Sequence, residues 1–233
     1  MKKIAVLVCA CTISITNIFA QYSDKIVVKA GQDFMASLAK QIYHFPQFVE
    51  GTVVYKDGSL SRAALNYNML ISEMQFIDSK HDTLSIANEQ TIDYITIGKD
   101  SFFYDKGYLA LITGNPTVKL ASRQRIKVID KQKIGAYDQP TSTGSVDSYN
   151  SVQSGTRMYK LDIREDIILA KETSLYLGDK FNHFVIANKK NSIKLSSNKQ
   201  NEVEKYVREN NVDFNKKEDM IKLIGFLESL KRS

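Results

Sequence analysis

GTVVYKDGSLSRAALNYNML, residues 51–70, predicts a β-hairpin and with it a β-rich fold. Its middle holds Asp57 and Gly58, a pair suited to the positive φ angles of a type I′ turn. Successive side chains of a strand point to opposite faces, so the apolar residues of the return arm share one face. These residues are Leu65, Tyr67 and Met69. We therefore predict a half-buried antiparallel hairpin whose register is fixed by burying that face.

The opposite face of the return arm carries two asparagines, Asn66 and Asn68. Asparagine is disfavoured in strands, so two on one face need a physical reason. One reason is solvent exposure near a sheet edge. The other reason is hydrogen bonding to a partner, and it makes both residues candidate partner contacts.

Strand-like segments follow the hairpin, with turn residues roughly every ten positions. This spacing favours an antiparallel meander, a sandwich or a barrel, and it leaves the three open. A short strand and a short helix precede the hairpin, within residues 24–45. Residues 21–197 are therefore predicted to form one β-rich domain.

Residues 138–157 interrupt this pattern, because they are rich in Ser, Thr and Gly and nearly devoid of apolar side chains. A mobile surface insertion fits that composition. A segment that becomes ordered on a partner fits it as well. In the second case Tyr149 and Asn150 are further candidate partner contacts.

The C-terminal residues 198–233 have helical spacing and predict a helical hairpin packed on the β domain. Asn210 and Asn211 can end the first helix in a left-handed turn. Asn215 and Glu218 fit a capping box at the start of the second helix. Apolar residues form one stripe on each helix. The stripes consist of Val203, Tyr206 and Val207, and of Met220, Leu223, Ile224 and Leu227.

The first twenty residues have the layout of a secretory signal peptide: two lysines, an apolar run, and Ala20 before the predicted cut. A membrane anchor is the alternative, but the apolar run is shorter than a spanning helix needs. A lipoprotein cut at Cys11 is a further alternative. Both cysteines, Cys9 and Cys11, precede the predicted cut. We therefore predict an exported, periplasmic protein without disulfides, free in the periplasm or peripheral to the outer membrane.

The charge distribution argues against nucleic-acid binding. The formal net charge is +6, and Lys2 and Lys3 of the predicted signal peptide supply two of these charges. Acidic and basic residues are mixed along the chain, without the clustered basic stripe of a nucleic-acid-binding protein. Residues 188–199 are locally basic. They are interpreted as a solvated surface or as a docking patch for an acidic partner or lipid head groups.

We find no motif of a hydrolase, nucleotide-binding protein or zinc protease in the sequence. The three histidines, His44, His81 and His183, are far apart and have no ligand spacing. Ser37 and Lys40 fit the S-x-x-K pattern of penicillin-binding enzymes, but a K-T-G element is missing. The sequence therefore predicts a protein that is not an enzyme, with no metal ion, no cofactor, and no transmembrane segment after the cut.

Several segments resemble small, functionally uncharacterised exported proteins of Bacteroidota. They are NIFAQ at 17–21, LNYNML at 65–70, EMQFID at 73–78 and YVRENNVDFNKKEDMIKLIGFL at 206–227. Size, export signal and lack of catalytic motifs are also similar to the plug accessory protein of the type IX secretion translocon. The resemblance implies a non-enzymatic periplasmic accessory protein that binds an envelope protein, such as an outer-membrane secretion or transport machine. The alternative is a small-molecule or glycan-binding protein with a pocket between sheet and helices.

Overall fold

The computed structural model describes residues 23–134, 140–142, 165–196 and 199–232. Strands account for 46% and helices for 23%, which confirms the mainly antiparallel β fold with helical structure at the C-terminus. The strands are β1 (Ser23–Val28), β2 (Val49–Tyr55), β3 (Leu60–Asn68), β4 (Glu73–Ile77), β5 (Thr83–Ser85), β6 (Ile92–Ile97), β7 (Asp100–Tyr104), β8 (Tyr108–Asn115), β9 (Val118–Ile134), β10 (Pro140–Ser142), β11 (Asp166–Gly178) and β12 (Phe184–Ile186). The helices are α1 (Phe34–Leu38), α2 (Lys189–Leu195), α3 (Gln200–Glu209) and α4 (Lys217–Arg232), and a 3₁₀ turn (Glu89–Thr91) precedes β6.

The strands form one twelve-stranded sheet in the order β1-β11-β9-β8-β7-β6-β2-β3-β4-β5. The short strand β10 pairs with β9, and β12 pairs with β11. Two meanders, β2 to β5 and β6 to β9, are joined because β2 pairs with β6. Of the three architectures that the turn spacing allowed, the described strands therefore follow the antiparallel meander.

The predicted hairpin of β2 and β3 is present, and its strands pair from Val49 with Leu65 to Val54 with Leu60. Its turn differs from the predicted type I′ turn. Gly58 has a φ of +84°, whereas Asp57 does not have a positive φ. The Asp57 carboxylate accepts the backbone N–H of Ser59 at 2.9 Å, as in an Asx turn. The result is a four-residue connection, Lys56 to Ser59, in which only the glycine is left-handed.

The interior contains two main apolar clusters, which we call the sheet core and the helix core. The long β9–β11 pair contributes to both, because Ile126 and Leu169 lie in the sheet core while Leu120 and Leu177 lie in the helix core. Strand alternation places these four side chains on one face of the pair. Side chains of β3, β6 and α1 also contribute to the sheet core. They include Leu65, Tyr67, Ile95, Ile97, Phe34 and Leu38.

The C-terminal helices cover the other end of the β9–β11 pair. The predicted apolar stripes are buried in the helix core, and Tyr206 of α3 stacks on Phe226 of α4 at 4.1 Å. Asn211 has a φ of +47°, which confirms the predicted left-handed end of α3. The predicted capping box is wrong in detail, because α4 begins at Lys217, two residues after Asn215. There the Asp219 carboxylate accepts the backbone N–H of Asp213.

The basic segment 188–199 contains a helix that was not expected from its sequence. Asn188 caps the N-terminus of α2, because its side-chain oxygen accepts the backbone N–H of Asn191 at 2.8 Å. Lys189 forms an ion pair with Glu204 of α3 at 2.6 Å. The segment that was interpreted as a solvated surface or a docking patch thus contains the helix α2. Searching the described helices for one long and apolar enough to cross a membrane finds none.

Candidate ligand-binding cleft

Asn66, predicted to be exposed, is fully buried in the structure. Its side-chain oxygen accepts the N–H of Phe45 at 3.0 Å. Its amide nitrogen donates to the carbonyl oxygens of Phe45, at 2.9 Å, and Gln47, at 3.1 Å. The prediction of an open face is therefore wrong at this residue, because the chain before β2 covers that side of β3.

Asn68 is also buried, with 4% of its surface exposed. Its side-chain oxygen accepts the N–H groups of Leu70 and Ile71, which closes the turn after β3. Its amide nitrogen donates to Gln75 of β4 at 3.1 Å. Both asparagines thus make internal hydrogen bonds, and neither presents its amide to a partner in this structure. The other two candidate contacts, Tyr149 and Asn150, lie outside the described residues.

A cleft of about 290 Å³ lies at the end of the sheet where several turns meet. One wall comes from the β2–β3 turn and from the chain that enters β6. The other wall comes from the β7–β8 and β11–β12 turns. The residues that line the cleft are Lys56, Gln90, Ile92, Asp93, Tyr104, Asp105, Lys106, Phe181, Asn182 and His183.

Hydrogen bonds between distant segments hold the walls of the cleft together. The side chain of Asn182 donates to the Asp93 carboxylate at 3.2 Å and so ties the β11–β12 turn to β6. The Asp105 carboxylate accepts the backbone N–H of Phe184 at 2.6 Å, which ties the same hairpin to the β7–β8 turn. Asn182 itself has a φ of +62°, a conformation that asparagine tolerates better than most residues. The turns are thereby fixed relative to each other.

The guanidinium group of Arg123 holds the β7–β8 turn in place through hydrogen bonds. Arg123 of β9 donates to the carbonyl oxygen of Asp105 at 2.8 Å and to that of Gly107 at 3.3 Å. Its guanidinium carbon lies 4.7 Å from the centre of the Tyr176 ring. Arg123 thus holds the turn at the position from which Asp105 and Lys106 face the cleft.

The cleft has both positive and negative side chains. Lys56 donates to the carbonyl oxygen of Gln90 at 2.8 Å. Lys106 makes neither an ion pair nor a hydrogen bond with its ammonium group to any of the described residues. Asp93 and Asp105 each use one carboxylate oxygen in the wall contacts above.

Two aromatic side chains complete the lining. Phe181 is the most exposed large apolar residue among those described, with 67% of its surface accessible. Tyr104 also lines the cleft, and desolvation, followed by the charge of Glu89, raises the pKa of its hydroxyl above 10.0. Tyr104 is therefore neutral at physiological pH and able to donate a hydrogen bond. The cleft thus combines an exposed aromatic ring with positively charged hydrogen-bond donors and negatively charged hydrogen-bond acceptors.

The lining contains no Ser, Thr or Cys that could act as a nucleophile. Ser37 of the S-x-x-K pattern donates its hydroxyl hydrogen to the carbonyl oxygen of Asp33 within α1. Within the described ranges, no three His, Cys, Asp or Glu side chains are grouped closely enough to hold a metal ion.

Of the three histidines, only His183 lines the cleft. His44 lies elsewhere, packed edge-on against Phe45 and Phe102, with its Nδ1 2.9 Å from the side-chain oxygen of Gln124. His44 is therefore a packed residue that lies away from the cleft.

Sequence reasoning placed turn residues roughly every ten positions, but it missed the cleft that four segments of the chain form together. The structure also places it elsewhere than expected, because it lies between turns and not between sheet and helices. Comparison with family models, with curated proteins and with solved structures found no match. The argument for a function therefore rests on the geometry of this chain.

Proposed function

We propose that the protein is an exported, non-enzymatic binding protein that holds a small polar molecule in the cleft. The observation that carries the proposal is the exposed ring of Phe181, which stands among charged and amide side chains on walls fixed by hydrogen bonds. Ligand sites commonly combine apolar surface with a few positioned polar groups, and they are usually largely preformed. Export is supported by the pattern of residues 1–20.

The volume of the cleft limits the size of its ligand. At about 290 Å³ it lies at the lower end of the range, roughly 300–1,000 Å³, that is typical of small-molecule sites. A single-ring metabolite or a short acyclic molecule is of the right size. A drug-sized ligand would extend into solvent beyond Phe181.

Isothermal titration calorimetry on residues 21–233 tests this proposal with a panel of monosaccharides, amino acids and dicarboxylates. We expect saturable binding of at least one class, and loss of that binding in Phe181→Ala. Leu84→Ala is the matched control, because Leu84 is an exposed apolar residue on β5 that does not line the cleft. Equal binding by both variants would place the ligand elsewhere and contradict the proposal.

A second candidate function is that of an accessory protein which binds an envelope protein, including an outer-membrane secretion or transport machine. The observation that favours it is the apolar surface of the β11–β12 hairpin. Phe181, Val185 and Ile186 are all exposed, the last two by 44% and 46%. Val185 and Ile186 point to opposite faces of β12, because strand side chains alternate. A partner that contacts both faces of the hairpin would remove all three apolar side chains from water.

Such a contact would use side chains rather than strand addition. Two polar groups on the outer edge of β12 already have internal partners. The N–H of Phe184 donates to Asp105, and the carbonyl of Ile186 accepts from Asn191 at 2.8 Å. Occupied edge groups hinder pairing with a further strand.

Affinity purification with cross-linking from intact envelopes tests the second function. We expect Ile186→Ser to lose a partner that the wild type and Ile221→Ser both recover. Ile221 serves as control because it is an exposed isoleucine on α4. An unchanged set of partners in Ile186→Ser would reject the hairpin as the contact surface.

A further inference from the structure

The charges of the cleft balance. Lys56 and Lys106 supply two positive charges, and Asp93 and Asp105 supply two negative charges. A ligand with a net charge is attracted by one pair and repelled by the other, so it gains little from this arrangement. An uncharged ligand leaves the balance intact.

The hydrogen-bonding capacity of the cleft is likewise divided between donors and acceptors. Among the described residues, the second oxygen of Asp93 and of Asp105 has no hydrogen-bond partner. Lys106 keeps all three ammonium hydrogens for a ligand, and Lys56 keeps two. A hydroxyl group is the simplest ligand group that can use both sides, because it donates to a carboxylate while accepting from an ammonium.

Phe181 adds a requirement for apolar surface on the ligand. Its ring has no polar atom, so its face favours contact with C–H and other apolar groups or with a cation. Lys180 lies over the ring at 4.8 Å. The ligand therefore needs several hydroxyl groups together with a C–H face, within about 290 Å³.

We propose that the cleft binds one uncharged saccharide ring, whose C–H face packs on Phe181 and whose hydroxyls bridge the free carboxylate oxygens and the lysine ammonium groups. This inference rests on the proposed binding function and narrows it to one class of ligand. Neutral hexoses and their N-acetyl derivatives have the required combination. Free amino acids are also neutral overall, but most lack a row of hydroxyls.

Saturation-transfer NMR and calorimetry on residues 21–233 test the inference with four probe classes. The neutral class contains glucose, galactose, mannose and N-acetylglucosamine. The charged classes contain glucuronate and glucosamine, and the zwitterionic class contains serine and glutamine. We expect saturation transfer from the protein to ring C–H groups of a neutral sugar, and binding of that sugar at least about tenfold tighter than its charged analogue.

Single substitutions test separately the contact with the Phe181 ring and the contact with the Lys106 ammonium group. Phe181→Ala should weaken binding of that sugar at least about tenfold, while Phe181→Tyr keeps it, because only the ring face is required. Lys106→Ala should also weaken binding, and Leu84→Ala should leave it unchanged. Phe181, Lys106 and Leu84 are exposed or free of internal hydrogen bonds, so none of these changes should prevent folding.

The outcomes distinguish this inference from the function on which it rests. Saturable binding of a charged or zwitterionic probe without a neutral sugar overturns the saccharide inference and keeps the binding function. Binding of none of the probes overturns both. Binding of a neutral sugar that survives Phe181→Ala overturns the assignment to this cleft.

Discussion

Replacing Asn66 by alanine should destabilise the protein, because its buried amide makes three hydrogen bonds to the chain before β2. The change removes the acceptor of the Phe45 N–H and the donors to the carbonyl oxygens of Phe45 and Gln47. Each such bond contributes about 0.5–1.5 kcal/mol net, and a buried group left without a partner costs more. We expect the free energy of unfolding to fall by about 2–4 kcal/mol.

Urea unfolding followed by circular dichroism measures this loss. Asn201→Ala is the matched control, because Asn201 is exposed on α3 and alanine has the higher helix propensity. The control should be unchanged or slightly more stable. Asn66→Asp should also lose stability, because a carboxylate can accept from Phe45 but cannot donate to the two carbonyls.

Amide hydrogen exchange provides a second measurement at the residue concerned. The Phe45 N–H should exchange slowly in the wild type and much faster in Asn66→Ala, since its partner has been removed. If Asn66→Ala matches the wild type in both unfolding and exchange, Asn66 does not hold this segment. The exposed-face interpretation would then be restored.

Four further substitutions test a buried hydroxyl, an ion pair and two glycine positions. Tyr108→Phe should leave the free energy of unfolding unchanged or raise it by up to about 2 kcal/mol, because the buried hydroxyl has no hydrogen-bond partner among the described residues. A clear loss of stability in urea unfolding would show that the hydroxyl does have a hydrogen-bond partner. The hydrogen bond from Lys29, followed by that from the N–H of Ala30, lowers the pKa of the Asp166 carboxyl below 3.8. The ionised carboxylate therefore stabilises the fold fully above pH 3.8, and this stabilisation is lost as the pH falls through the lowered pKa. Asp166→Asn should therefore lose less stability on acidification than the wild type, and equal acid sensitivity would refute the ion pair. Gly51→Ala should destabilise the protein, because a Cβ at that position would lie 2.6 Å from a backbone oxygen of β6. A Cβ at Gly225 on α4 would meet no atom within 4 Å. Gly225→Ala should therefore stabilise the protein by about 0.5–1 kcal/mol in the same assay.

Local patterns predicted the parts of the fold that depend on local forces. The apolar face of β3 was correctly placed, because alternation alone decides which side chains share a face. The left-handed residue after α3 was also correct, since asparagine tolerates that conformation. The turn between β2 and β3 was only partly correct. Asp57 bonds to Ser59 instead of adopting a positive φ, and composition does not decide between these two conformations.

The cleft could not be predicted because its lining comes from four turns that are distant in sequence. Asn182 and Asp93, which join its walls, are 89 residues apart. They meet only because β11 lies beside β9 in the sheet while β6 to β9 run as a meander. Patterns in a single sequence do not give the order of the strands in a sheet. The proximity of these turns, which depends on that order, could therefore not be predicted.

The two asparagines of β3 show where alternation stops being informative. Alternation says that they share a face opposite the core, but not whether another segment covers that face. In the structure, the bridge of Tyr43 with Asn68 and the pair of Val49 with Leu65 enclose two residues of β3 and five of the partner segment. Five residues cannot pair regularly with two, so backbone groups of the longer segment need other partners. The Asn66 side chain supplies both a donor and an acceptor at that point. An asparagine pair in a strand can therefore indicate an irregular neighbouring strand as well as an exposed face, and the loss of stability in Asn66→Ala distinguishes the two.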